Sequence, residues 1–285
     1  MSRMTIRLLS IMILSSIGLG ANAIPLPKAP RSLVQLPPSF TTDYDFEGII
    51  ALGNCSGSMI QFEGAKDTDK AIVMTNGHCL ETGFPSPGEF IYRQPSSRRL
   101  RLMDSNANVV TTLRATQILY ATMTTTDVAL YETNTTYGEI LREHNVRPLI
   151  LSSAKPAAGA AIQVISGYWE RGYSCSIDGF AYRLKEDVYE WNESIRYSNP
   201  GCEVIGGTSG SPVIATGTRI AVGVNNTGNE NGGRCSANNP CEVDKSGNVR
   251  YEQGLSYGQQ TYQIYSCLND NRELDLTLAN CQLPH

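Results

Sequence analysis

Short apolar segments separated by turn residues dominate the chain from about residue 46 onward. β-favouring runs alternate there with Gly, Pro, Asn and Ser, and the pattern predicts strands at 48–52, 58–62, 71–75, 108–113, 127–131, 161–166, 211–215 and 220–224. Helix signals are few, with candidates only at residues 137–143 and 273–280. The pattern therefore predicts an all-β fold of the sandwich or barrel type with few short helices.

The amino-terminal part has a different pattern. Arg3 and Arg7 precede an apolar run over residues 8–20, and Ala21-Asn22-Ala23 offers a small-residue cleavage site, which predicts a signal peptide at 1–23. A membrane anchor is the alternative, but the run has 13 residues against the roughly 20 that span a bilayer. We expect a secreted protein, extracellular or periplasmic, with no membrane span in the mature chain.

Proline content and one break indicate how the rest of the chain is organised. Residues 24–45 contain five prolines and little periodicity, which is typical of an extended leader or propeptide. A break near residues 153–159 divides the segment beyond residue 45, so we expect one domain at 46–150 and a second at 151–285.

Composition narrows the chemistry. The 285 residues are 41% hydrophobic, enough for a large core, and the net charge falls from −4 to −6 when the signal peptide removes two arginines. A basic nucleic-acid surface is therefore not expected. Eight cysteines without Cys-x-x-Cys spacing, beside only three histidines, favour four disulfides over a metal site. We expect no cofactor, no metal and a monomeric protein.

Residues 206–212, Gly-Gly-Thr-Ser-Gly-Ser-Pro, place Ser209 in a segment that suits a nucleophile. Glycines permit a positive φ and a close approach of a substrate carbonyl, and adjacent N–H groups in such a turn point at one oxyanion. A serine hydroxyl also needs a histidine to accept its proton. An ordinary turn between two strands is the alternative interpretation.

His78 is the best candidate for that base, because it follows the predicted strand 71–75 and a glycine. His144 lies among charged residues and His285 is the last residue, so both are expected at the surface. An ordinary loop histidine is the alternative at position 78.

Asp127 is the best candidate for the carboxylate that orients the imidazole. It precedes an apolar strand, where a buried acid must be hydrogen-bonded to be tolerated. Asp104 is the rival, but it lies in a polar turn; a strand-entry turn residue is the alternative for Asp127.

Together these motifs resemble the trypsin/chymotrypsin-like serine proteases, in the order His, Asp, Ser. The matching segments are Thr-Asn-Gly-His-Cys around His78, Thr-Asp-Val-Ala-Leu around Asp127 and Gly-Thr-Ser-Gly-Ser-Pro around Ser209. The resemblance covers about residues 46–265 and implies two six-stranded antiparallel β-barrels with the active site between them.

The resemblance also implies the role of each residue. Ser209 would attack the scissile carbonyl, His78 would act as general base and then general acid, and Asp127 would orient His78. The N–H groups of Gly207 and Ser209 would form the oxyanion hole. The segment around Cys55 looks like the family's cysteine-containing strand, which implies a bridge from Cys55 to Cys79.

Thr208 marks a departure from the animal digestive members of the family. Those enzymes carry Asp before the nucleophile, where it pairs with a new amino terminus on activation, and Thr208 cannot form such an ion pair. The segment looks more like the bacterial glutamyl endopeptidase branch, so we expect that removal of the leader does not switch the enzyme through that pair.

The sequence allows two interpretations of the substrate specificity. Alignment on Ser209 puts Glu203 where trypsin-like enzymes hold a pocket-floor acid, and it puts Asn225, Asn226 and Gly228 on the pocket's edge strand. A buried Glu203 would favour Arg or Lys, whereas an exposed loop acid is the alternative. Glutamyl endopeptidases use a histidine around position 225, which this chain lacks.

The remaining cysteines suggest local pairs by their proximity in sequence alone: Cys175 with Cys202, Cys235 with Cys241, and Cys267 with Cys281. We therefore predict a secreted serine endopeptidase that acts on protein or peptide substrates. A non-catalytic secreted binding protein on the same fold is the main alternative. An ester hydrolase with a Gly-x-Ser-x-Gly elbow is a second one, but Ser211 stands where the final glycine belongs.

Overall fold

Strands dominate the computed structural model, which describes residues 44–285. The strands are β1 (Ile49–Ala51), β2 (Ser56–Gln61), β3 (Lys70–Thr75), β4 (Phe90–Pro95), β5 (Arg99–Met103), β6 (Val109–Thr122), β7 (Val128–Thr136), β8 (Leu149–Leu151), β9 (Ala161–Ser166), β10 (Arg171–Glu186), β11 (Tyr189–Tyr197), β12 (Pro212–Ala215), β13 (Ile220–Gly228), β14 (Cys241–Val243), β15 (Val249–Arg250) and β16 (Ser256–Gln260). One α-helix, α1 (Tyr137–His144), and two 3-10 helices, Gly77–Cys79 and Tyr262–Cys267, accompany them.

The first barrel closes on itself with six antiparallel strands. Pairing runs β1–β5–β6–β7–β3–β2 and returns from β2 to β1. Closure leaves no unpaired edge in this ring, and buried side chains such as Met59, Val73, Leu100 and Tyr131 fill it. β4 lies outside the ring and pairs with β6.

The second barrel repeats this arrangement. Its ring runs β9–β10–β11–β16–β13–β12 and closes from β12 to β9. Ile162, Val164, Ile195 and Val213 are fully buried inside it. In the hairpin of β14 and β15, β14 pairs with β10 near its end, at residues 183–185.

The two barrels are joined by backbone as well as by side chains. β8 pairs in parallel with β2 of the first barrel and with β13 of the second. A shared core includes Ile49 and Ile60 from one barrel and Ile165 and Val224 from the other. The division expected between residues 150 and 151 falls inside β8, which belongs to the hydrogen-bonded network of both barrels.

The prediction of an all-β fold with two six-stranded antiparallel barrels and few short helices is confirmed. Each predicted strand overlaps an observed one, although β6 and β7 extend nine and five residues beyond the predictions at 108–113 and 127–131, and α1 occupies the predicted helix site. Its first turn has the capping box expected of a helix start, since Thr136 accepts from the Glu139 N–H and the Glu139 side chain accepts from the Thr136 N–H.

The helix predicted at 273–280 is wrong. Local side chains there hydrogen-bond the backbone in turns: Asn269 accepts from the N–H groups of Asn271 and Glu273, and Asp275 accepts from that of Thr277. Such bonds compete with helix formation. Leu274 and Leu276 of this segment are instead buried in the shared core, as is Leu283 beyond it.

The predicted signal peptide at 1–23 and all but the last two residues of the predicted leader at 24–45 lie outside the described residues. Among residues 44–285, no helix combines the length and apolar character that a membrane crossing requires.

Candidate active site

The segment after β3 holds His78 in a tightly packed turn. Gly77 begins the 3-10 helix that carries His78, and a Cβ atom at position 77 would lie 2.2 Å from the Thr122 carbonyl oxygen. Only glycine therefore fits this turn. The Asn76 amide donates to the main-chain oxygen of Asp127 at 2.8 Å, which ties the turn to the start of β7.

Asp127 is fully buried and holds the His78 ring through one carboxyl oxygen. Oδ2 lies 2.7 Å from Nδ1 of His78, whose side chain is 19% exposed. Oδ1 accepts the main-chain N–H groups of Gly77, at 2.6 Å, and of His78, at 3.2 Å. Both carboxyl oxygens are thus satisfied, which is the condition for burying an acid. The imidazole is fixed with Nε2 as the nitrogen left for proton exchange.

The pKa of His78 is raised above its ordinary value of 6.5. Burial lowers it, but the negative charge and hydrogen bond of Asp127, with a smaller contribution from the charge of Glu186, together outweigh burial. A base with a raised pKa accepts a proton more readily and can return it in a later step.

The serine loop enters the site from the second barrel, between β11 and β12. Gly207 and Gly210 take positive φ values of 89° and 81°. A Cβ atom at position 210 would lie 2.1 Å from the Ser56 carbonyl oxygen and from the Thr75 hydroxyl, so the loop packs against the first barrel as closely as backbone permits. The Ser56 N–H donates to the Ser209 carbonyl at 2.8 Å and fixes this contact.

Ser209 and His78 face the same cavity, which has a volume of about 460 Å³. The Ser209 hydroxyl donates to the Asn226 carbonyl at 3.2 Å. Within residues 44–285 no hydrogen bond joins Ser209 to His78. Serine side chains change rotamer by rotation about the Cα–Cβ bond, and such rotations are fast compared with turnover.

The peptide between Gly206 and Gly207 is oriented by Trp169. The Trp169 indole N–H donates to the Gly206 carbonyl at 2.8 Å. In a planar trans peptide the N–H points opposite to the carbonyl, so the Gly207 N–H is directed away from Trp169. Neither this N–H nor that of Ser209 finds an acceptor among the described residues. Two free donors on a loop that lines the cavity are what an oxyanion would bind.

Thr208, before the candidate nucleophile, is buried and bonded locally. Its hydroxyl donates to the Ile205 carbonyl, and its carbonyl and hydroxyl accept from the Asn225 amide at 3.1 and 3.3 Å. The Asn225 amide oxygen accepts from Tyr197. Asn225 lines the cavity, but these bonds occupy its side chain and leave it a bracing role for the serine loop.

The other expected specificity residues have different positions. Asn226 and Gly228 line the cavity, and Asn226 is 2% exposed with both amide atoms unpartnered among the described residues. Glu203 is exposed and does not line the cavity, so the expectation of a pocket-floor acid there is not met. The next two residues along the chain, Val204 and Ile205, line the cavity instead.

Glu186 is a cavity acid that the sequence pattern did not reveal. It lies at the end of β10, 23 residues before Ser209, and it lines the cavity together with Asp187 and Glu230. Counting back from Ser209 assumes the loop lengths of relatives, whereas the β10–β11 hairpin brings Glu186 to the site from another direction. No local motif marks such a residue.

Four disulfides brace the described chain, and they join the pairs considered from sequence: Cys55–Cys79, Cys175–Cys202, Cys235–Cys241 and Cys267–Cys281. The first joins the His78 turn to the segment before β2, and the second joins β10 to the serine loop. Cys55, His78 and Cys79 lie together in a metal-like grouping, but the disulfide consumes both thiols, so these residues do not offer a metal site.

Two six-stranded barrels with a His–Asp pair on one and a glycine-flanked serine on the other define the class of chymotrypsin-like β-barrel proteins. Residues 55–224 match the model of the trypsin-like peptidase domain, which is more than half of the chain. The protein therefore belongs to the trypsin-like peptidase family. Its sequence matches none of the curated proteins with which it was compared.

Solved structures of similar shape have low sequence identity to this chain. The protease domain of MamO from Magnetospirillum magneticum is 12% identical, with 80% of this chain and 98% of that chain covered and a TM-score of 0.48. A chymotrypsin from Cellulomonas bogoriensis is 14% identical, with 76% and 91% covered and a TM-score of 0.40. A glutamic-acid-specific serine protease is 16% identical, with 76% and 92% covered and a TM-score of 0.39.

Proposed function

We propose that the protein is a secreted serine endopeptidase that hydrolyses peptide bonds through an acyl-enzyme on Ser209. The observation that carries this proposal is the Asp127–His78 pair, which fixes the imidazole in the same cavity as Ser209 within a trypsin-like peptidase domain. Membership of the family implies peptides or proteins as substrates, and we expect the chain to act as a monomer.

In the first half of the reaction, the Ser209 hydroxyl turns from the Asn226 carbonyl toward Nε2 of His78. Ser209 Oγ bonds to the scissile carbonyl carbon while its proton passes to Nε2, and Asp127 stabilises the imidazolium. The negative oxygen that forms is bound by the N–H groups of Gly207 and Ser209. The carbon–nitrogen bond then breaks, and the leaving amine takes the proton from His78.

In the second half, water attacks the ester on Ser209 and gives its proton to Nε2. The carbon–oxygen bond to Ser209 breaks, the acid product leaves, and Ser209 regains its proton from His78. Each proton that leaves a nucleophile is thus returned to a leaving group by the same nitrogen.

Secretion is supported by two observations. Eight of eight cysteines are paired in disulfides, which form and persist in oxidising compartments. The sequence of residues 1–23 also has the order of charge, apolar run and small residues that export signals have.

Labelling with a fluorophosphonate tests the proposal directly, because the reagent forms a bond only with an activated serine. We expect the protein lacking residues 1–23 to be labelled at Ser209, the Ser209→Ala variant to remain unlabelled, and Ser246→Ala, at an exposed turn, to be labelled like wild type. Intact-mass spectrometry reads each result. Absence of label on the wild-type chain, with or without residues 24–43, would favour the non-catalytic binding protein.

A further inference from the structure

Glu186 is a cavity acid that the described residues satisfy only in part. Its Oε1 accepts the Asn238 main-chain N–H at 2.7 Å, but its Oε2 is buried and has no hydrogen-bond partner among residues 44–285. No lysine or arginine of the described chain pairs with it. Burying a carboxylate oxygen without a partner is unfavourable, so a ligand group that supplied one would be bound strongly.

The charge of the cavity points to the sign of that ligand group. Glu186, Asp187 and Glu230 line it, and His78 is the only basic residue of its lining within the described chain. Acidic walls around a low-dielectric space attract a cation and repel an anion. An acidic substrate side chain is therefore disfavoured at this place, in contrast to the glutamyl-specific branch.

The other walls of the cavity suit a long cationic side chain. Tyr189 and Trp191 stack with parallel rings 6.2 Å apart, and Met123 lies beside them in the lining. Such surfaces pack against the methylene stem of lysine or arginine, and aromatic faces attract its charge. Asn226 also lines this cavity, and its two buried amide atoms have no hydrogen-bond partner among the described residues.

The pKa of Glu186 is raised, which agrees with its buried position in this cavity. Burial raises the pKa of its carboxyl, and the negative charge of Asp127 adds to the rise. Nearby Thr227, the Asn238 N–H and the charge of His78 lower the pKa without cancelling the effect of burial, and Thr227 makes no hydrogen bond of standard geometry to the carboxyl. A bound cation would stabilise the ionised form and lower the pKa again.

We propose that Glu186 selects substrates by pairing with a lysine or arginine side chain bound beside the scissile bond. The proposal rests on the proposed peptidase function and names its substrate class. It assigns this selection to the end of β10 instead of the segment before Ser209, where Glu203 is exposed and away from the cavity.

Cleavage of a diverse peptide library, with the cut sites read by mass spectrometry, gives the first test. We expect wild type to prefer Lys or Arg at one position near the cut over the neutral analogues norleucine and citrulline. Glu186→Gln keeps the shape and an acceptor for Asn238 but removes the charge, and it should reduce this preference about 10- to 100-fold. Glu203→Gln and Glu143→Gln make the same charge change outside the cavity and should retain the preference.

A second readout is independent of catalysis. Benzamidine carries a planar cation like that of arginine, and calorimetric titration of the Ser209→Ala protein should detect its binding, with about a tenfold or greater loss in Ser209→Ala/Glu186→Gln. If wild type cleaves peptides without a basic preference, or if Glu186→Gln leaves both readouts unchanged, the role of Glu186 is overturned while the peptidase function stands. If benzamidine binds through Glu186 but no peptide is cut and no serine is labelled, the peptidase function fails and the cation site remains.

A pH profile separates a charge effect from a change of shape. Since the charge of Glu186 contributes to the raised pKa of His78, Glu186→Gln should move the acid limb of kcat/KM to lower pH. Asp127, Asp187 and Glu230 face the same site and are unchanged in this variant. An acid limb that does not move, or moves to higher pH, contradicts the proximity of the two charges.

Discussion

At the scale of single residues, Trp169 orients the peptide that we assign to the oxyanion hole. Trp169→Phe keeps an aromatic ring but removes the indole N–H that binds the Gly206 carbonyl, so the Gly207 N–H loses its fixed direction. Because that donor acts on charge that develops in the transition state, we expect kcat to fall about 10- to 100-fold with little change in KM. Steady-state kinetics on one good peptide substrate measures both.

Tyr168→Phe is the matched control for this prediction. Tyr168 packs edge-on against Trp169, with the ring centroids 4.9 Å apart, and its ring lies beside Gly207 of the serine loop, but its hydroxyl makes no hydrogen bond among the described residues. A loss of kcat equal to that of Trp169→Phe would show that general packing, and not the indole N–H, supports the site.

Candidate site residues that lie in a recognisable local motif could be predicted from the sequence. Residues that reach the site only through contacts between segments distant in sequence could not. Ser209 and His78 stand beside Gly210 and Gly77, whose missing side chains let the loops pack, and this leaves a local trace. Trp169 meets Gly206 across 37 residues, and Glu186 reaches the cavity through a hairpin. Neither position carries a motif, because its role depends on how separate strands are arranged.

At the scale of elements, the 3-10 turn Gly77–Cys79 requires glycine at position 77, because there is no room for a side chain there. Gly77→Ala would push a methyl group against the Thr122 carbonyl and close to Asp127, so the turn must shift or the barrel must open. We expect a loss of about 1–3 kcal/mol in the free energy of unfolding and a displaced His78 with greatly reduced turnover. Thermal unfolding and peptide cleavage measure the two effects.

Gly53→Ala is the control, since no heavy atom lies within 4 Å of a Cβ atom there and its φ is not positive. Equal destabilisation by both substitutions would mean that the close contact at Gly77 does not cause the loss in the free energy of unfolding.

The alternation of apolar and polar residues predicts those strands in which every second side chain points into the core along the whole strand. It does not reveal β10, because that strand carries polar side chains through 16 residues and a register shift between Ile177 and Gly179 breaks its alternation. It does not reveal β8 either, because three residues are too few to show a period. Closure of each barrel depends on pairings between strands distant in sequence, which the family resemblance implies and the pattern does not.

At the scale of the whole molecule, an acidic side chain near the start of the described chain holds two arginines. Glu47 Oε2 lies 3.0 Å from a guanidinium nitrogen of Arg147 and 3.0 Å from one of Arg219, and the Glu47 side chain is 10% exposed. Burial raises the pKa of Glu47, but the hydrogen bonds of Arg147 and the charges of Arg219 and Arg147 outweigh it and lower the pKa below its ordinary value of 4.5. The ionised pair therefore stabilises the fold.

Glu47→Gln should lower the free energy of unfolding by about 1–3 kcal/mol at neutral pH. Because the folded pKa is depressed, the wild-type advantage is complete above about pH 4.5 and is lost as the pH falls through the folded value. Denaturant titrations of both proteins between pH 7 and pH 3 measure this difference. Glu143→Gln on α1, an exposed site, should show little effect, and a Glu47 difference that stays constant down to pH 3 would contradict the ionic explanation.

β8 has a consequence for how the cleft adapts. A swing of one barrel against the other would have to break main-chain hydrogen bonds on both sides of this strand, opposite Ile60 and opposite Ile220. The pairing of β8 with both barrels therefore opposes hinged closure around a substrate. Exposed loop residues such as Val188, at the turn between β10 and β11, are then the part of the cleft that adjusts to different peptides. A change of substrate selectivity would therefore be sought by redesigning this turn and not by weakening the pairing of β8.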